Sequence, residues 1–79
     1  MENLNVVYRT ARIDAKGLEW IVLEDWRFVD CFVTGRYSHK NEKFSAQWVF
    51  FKDSATVENA QEAEAEAIKH AKKRSIESF

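Results

Sequence analysis

Apolar and polar positions alternate along four short stretches of the chain, then change to helical spacing near the C-terminus. These two periods separate strands from helices. In residues 4–13 (LNVVYRTARI), Val6, Tyr8 and Thr10 fall on one side and Val7, Ala11 and Ile13 on the other. β-branched and aromatic residues dominate this first stretch, as a pleated surface favours. DAKG, residues 14–17, reads as a turn, because Gly17 can take a positive φ and Asp14 can bond its own backbone. Residues 18–34 hold neither proline nor glycine, so a helix through LEWIVLEDW is an open alternative. Trp20, Ile21, Val22, Trp26, Phe28, Val29, Phe32 and Val33 favour strand over helix. The polar interruption EDWR, residues 24–27, marks a turn or bulge and divides the segment into strands over about 18–24 and 27–37. SHKNEK, residues 38–43, leads into a fourth strand over about 43–52, so the meander has three to four strands, according to how residues 18–26 fold.

The last segment is the clearest. Residues 57–75 are rich in strong helix formers. Asn59 with Glu62 fits a capping box, and Ser54 or Thr56 would cap a longer helix. Glu58, Glu62, Glu64 and Glu66 precede Lys69, Lys72, Lys73 and Arg74, an order that complements the helix dipole at both ends. The apolar stripe is made of small residues: Ala60, Ala63, Ala67, Ile68 and Ala71, with Val57 one turn earlier. A helix with so small a stripe lies close to its sheet, and the sheet must supply the bulk. Phe44, Trp48 and Phe50 of FSAQWVFFKD alternate onto one face and are the expected complements. The architecture is therefore an α+β fold, a small antiparallel β-meander with one C-terminal helix packed on one face.

That arrangement leaves a second apolar face. Val49 and Phe51 point away from Trp48 and Phe50, and in the preceding strand Phe28 and Phe32 oppose Val29, Cys31 and Val33. A solvated sheet face would be polar at alternate positions. Either a strong twist folds the sheet over itself, or the far face docks on a partner, most simply a second copy across a two-fold axis.

Composition narrows the class. Seventy-nine residues with no proline and no linker make one domain, residues 1–79. The chain is 46% hydrophobic and 14% aromatic, too apolar for a disordered chain. Twelve basic against thirteen acidic residues leave a formal charge of −1, so the overall charge favours neither nucleic acid nor an anionic membrane. A lone cysteine, Cys31, excludes an internal disulfide and suits a reducing compartment. No leader or membrane-spanning run is visible, and a soluble cytoplasmic protein is expected.

Candidate chemistry is sparse. Cys31, His39 and His70 are the residue types of a nucleophile and its base. Yet Cys31 lies in an apolar strand, His39 in a hairpin loop, and His70 four residues after Glu66, as in an ordinary surface pair. No metal-ligand spacing or phosphate-binding glycine loop is present, so no enzyme, metal or cofactor is expected. KHAKKR, residues 69–74, is a dense basic run, and Arg36, Lys40 and Lys43 cluster at the other hairpin. The order of strands then helix from about residue 27 resembles the second half of a double-stranded-RNA-binding domain. It also resembles the small sheet-plus-helix modules that plant transcription factors and phage integrase arms use on DNA. The RNA-binding family places lysines at the start of its last helix, where this chain has Glu58, Glu62 and Glu64.

The expected function is that of a small non-enzymatic binding module acting through an aromatic-rich sheet face or edge. Its partner is a second copy or another protein; small phage-encoded inhibitors resemble it in size and economy, and the acidic row Glu58, Glu62 and Glu66 would mimic phosphates at a partner's nucleic-acid site. Trp20, Trp26, Phe28, Phe32, Val49 and Phe51 would carry that interface, because aromatics concentrate binding energy. The alternative is nucleic-acid binding through Arg36, Lys40, Lys43, Lys69, Lys72, Lys73 and Arg74.

Overall fold

A computed structural model describes residues 4–27, 29–52 and 57–77. Four strands, β1 (Val6–Ile13), β2 (Leu18–Glu24), β3 (Cys31–Ser38) and β4 (Lys43–Phe51), precede the helix α1 (Val57–Glu77). The strands form one antiparallel sheet in the order β1-β2-β3-β4, and α1 packs on it, an α+β two-layer arrangement.

The first hairpin turns as its residues dictate. Gly17 sits at φ 77°, and the Asp14 carboxylate accepts the backbone N–H groups of Lys16 at 2.8 Å and Leu18 at 3.0 Å. Residues 18–24 are strand rather than helix. The third strand starts at Cys31, later than the alternation alone predicts. Asp25, Arg27 and Asp30 have φ of 53°, 64° and 55°, a left-handed backbone that breaks the extended run. α1 begins at Val57, so Asn59 lies inside it and is not its cap; Ser54 and Thr56 lie outside the described residues.

The helix side of the sheet holds Trp20 and Val22 of β2 and Phe32 of β3, buried against Ala63, Ala67 and Ala71. Val7, Tyr8, Phe50 and Ile68 close around them. The alanine row lets α1 approach the sheet, and the large side chains rise from below to fill the space, as close packing requires.

Pairing in β4 departs from simple alternation. Trp48 pairs with Thr34 but Ala46 pairs with Gly35, which leaves Gln47 as an extra residue in a β-bulge. One extra residue reverses the parity of everything before it. Trp48 and Phe50 keep to the helix side, while Phe44, paired with Tyr37, falls on the far side. Phe44 is therefore no complement to α1. Nor is Trp48 a core residue: its side chain is 56% exposed, because it stands beside α1 rather than under it.

The far face is covered largely by the chain itself. Ile21, Leu23, Cys31 and Val33 there are fully buried. Trp26, just past β2, lies against Phe44 with its ring at 74° and 4.9 Å between centroids, an edge-to-face contact. Two irregularities in β1 add to the twist. At the second, Ala11 takes φ 60° and its N–H donates to the buried Glu19 carboxylate at 2.9 Å. Arg9 at 3.2 Å and His39 Nε2 at 2.8 Å also meet that carboxylate, so a charge that would be costly to bury alone is matched.

Candidate functional site

Two concavities lie on opposite sides of the sheet. The first is a groove of about 320 Å³ between the C-terminal half of α1 and strands β2–β4, lined by Trp20, Arg36, Gln47, Trp48, His70 and Arg74. Register sets its sheet side. Trp20 pairs with Arg36 across β2 and β3, and the bulge at Gln47 presents Trp48 next to them. Helical spacing brings His70 and Arg74, four residues apart, to its helix side.

His70 is the hinge between the two layers. Its Nδ1 lies 2.9 Å from Thr34 Oγ1, and the rings of Trp20, Trp48 and Phe50 surround it at 6.0, 5.7 and 5.7 Å between centroids. It is thus a packed residue and not one half of a surface pair with Glu66. Burial pushes its pKa below the ordinary value, and the nearby charges of Arg74 and Lys73 push the same way against the opposing pull of Glu77. Arg74 donates to Glu77 at 3.3 Å on the exposed rim. The groove joins an open indole face to two guanidiniums, groups that stack on planar ligands and bond anions.

The second concavity, about 890 Å³, lies on the far face among Val6, Arg9, Trp26, Arg27, Tyr37, Lys43 and Phe44. The Arg27 guanidinium stands 4.5 Å from the Trp26 ring centre.

The residues expected to form one interface are divided between the two faces. Trp20 and Phe32 are buried on the helix side, and of the two only an edge of Trp20 reaches the groove. Trp26 and Val49 are half-buried on the far face, and Phe51 is 68% exposed there; Phe28 lies outside the described residues. The basic residues are divided too. Arg36 and Arg74 meet at the groove, and Lys69 and Lys73 are exposed on α1. Lys72 turns toward β1, its ammonium 5.5 Å from the Tyr8 ring centre. Lys40 and Lys43 are exposed at the second hairpin. Strict alternation hides the groove, because it places Trp48 in the core. Gln47 gives no warning of this in the sequence, because it falls with Ser45 on the polar side of an ordinary alternation.

Cys31, His39 and His70 do not assemble into a nucleophile and base. His39 is held by Glu19 and His70 by Thr34. Cys31 is buried, and burial, followed by the charge of Asp25, pushes its thiol pKa up, away from the reactive thiolate. Among the described residues no group of three acidic, histidine or cysteine side chains could hold a metal ion, and no helix is long and apolar enough to cross a membrane. No protein-family model, curated protein or solved structure matches this chain.

Proposed function

We propose that the chain is a non-enzymatic binding module whose working surface is the Trp48 groove, and that it takes single-stranded nucleic acid. The carrying observation is the exposed Trp48 ring set in one groove with Arg36 and Arg74. An exposed indole offers a stacking platform for a base, worth about 1–3 kcal/mol. Arg36 beside it, and Arg74 in exchange for its weak exposed pair with Glu77, bond phosphates and release their counterions. The formal charge of −1 does not oppose this, because the interaction depends on local charge within about 10 Å at ordinary salt. Strand addition along the β4 edge is less well supported, since the bulge at Gln47 and the lysines at both ends of the strand are features that discourage edge pairing.

The test is fluorescence anisotropy with a labelled oligothymidylate over a salt series. Two phosphate contacts on a single strand give a slope of log K against log salt near about −1.4. The Arg36→Gln, Arg74→Gln double variant should flatten that slope. Trp48→Ala should weaken binding by about 5- to 150-fold at every salt concentration. Absence of binding, or binding indifferent to both variants, would reject the reading.

A second reading has its own observation. Val29 and Phe51 are 80% and 68% exposed, and Phe51 pairs with Cys31, two residues after Val29. Exposed apolar side chains at this end of the sheet are suited to a protein partner or a second copy.

A further inference from the structure

We infer that the far-face trough is a separate binding site for a small amphipathic organic anion, with a planar or apolar body and one acidic group. Its volume of about 890 Å³ falls within the roughly 300–1,000 Å³ of small-molecule sites. Its walls are aromatic and already positioned. Trp26 is held edge-on by Phe44 and capped by Arg27, and Tyr37 is set between His39 and Arg9. Such walls present a pre-formed apolar surface to the body of a ligand at little ordering cost.

The charges select the ligand's sign. Three cations line the trough, Arg9, Arg27 and Lys43, against one carboxylate, Glu42. The charge of Arg9 is met by Glu19 beneath it, so Arg27 and Lys43 are the pair that faces an incoming anion. They stand at the exposed rim while the aromatic groups are recessed. An acidic group at the rim with its body inside satisfies both.

A second copy fits the trough less well. The apolar groups a copy would bury, Val29 and Phe51, are not among its lining. A flat protein surface would also leave the recessed Trp26–Phe44 pair untouched.

The probe is anilinonaphthalene sulfonate, a naphthalene body with one sulfonate, titrated into the full chain and followed by its fluorescence. The site predicts saturable binding at one dye per chain with the near-ultraviolet circular dichroism unchanged. It predicts a loss of at least about fivefold in affinity in the Arg27→Glu, Lys43→Glu double variant, as reversal of two exposed charges allows. Lys16→Glu with Lys69→Glu makes the same change in net charge elsewhere and should leave binding as in the wild type. Absence of saturable binding overturns the assignment. So does an equal loss in both double variants, which would mean attraction to overall charge alone. A dimer by light scattering that excludes the dye also overturns it and gives the trough to a second copy.

Discussion

His70 shows how much one side chain can decide. Its neighbours are the rings of Trp20, Trp48 and Phe50, the Thr34 hydroxyl, and the charges of Arg74, Lys73 and Glu77. Burial lowers its pKa in the folded chain from the ordinary 6.5. The unfolded chain then binds the proton more readily, so the His70 contribution to stability is intact above about pH 6.5 and is lost as pH falls below it, levelling off once the folded value is passed. Urea unfolding between pH 7 and 5 should show this loss, and His70→Gln should show a shallower one. Equal pH slopes in the two proteins would mean that His70 is not desolvated. Ser75 is the converse case. Its hydroxyl is buried and has no hydrogen-bond partner among the described residues. Ser75→Ala removes an unmet polar group at almost constant volume, and should raise stability by about 1 kcal/mol in the same assay.

At the scale of elements, β4 and α1 differ in how legible they are. The small apolar row of α1 is readable as Ala63, Ala67 and Ala71, and the structure buries those three. A helix face needs only its own 3.6-residue period to be seen. The faces of β4 are not readable from alternation, because Gln47 is bulged and Phe44 changes side. The bulge depends on a close approach at Gly35. A Cβ added there would lie 2.7 Å from the Phe44 ring and would also strike the Ser45 carbonyl. The Ser45 backbone cannot yield as a flexible side-chain tip would. Gly35→Ala should therefore cost about 1–3 kcal/mol by overpacking. A variant that melts with the wild type would show that β4 can move away, and the pairing of Gly35 with Ala46 would fall with it.

For the whole molecule, the question is what covers both sides of a four-stranded sheet. α1 covers one side, and Trp26, Phe44, Tyr37 and the twist cover much of the other. Among the described residues the large apolar side chains that remain open are Ile13, Val29, Trp48, Phe51 and Ile76, with Trp48 on the helix side and Phe51 on the far side. Phe51→Glu should change the melting free energy by no more than about 0.5 kcal/mol, as for other exposed positions. If copies pair through the Phe51 end of the sheet, light scattering should also find the variant monomeric where the wild type is dimeric. A dimer that survives the substitution would exclude the Phe51 patch as the contact.

The sequence by itself determined the α+β class with its C-terminal helix, the Asp14–Gly17 turn and the alanine face of α1, while the strand state of residues 18–24 was settled by the structure. The class, the turn and the alanine face follow from local periods and local backbone preferences, which neighbouring residues encode. Only the tertiary structure decided that Trp48 stands open beside His70 and that Phe44 joins Trp26 on the far face. The same holds for Thr34 and Glu19, which meet histidines 36 and 20 residues away along the chain. Those outcomes depend on strand register, and one bulged residue shifts register without altering any local propensity.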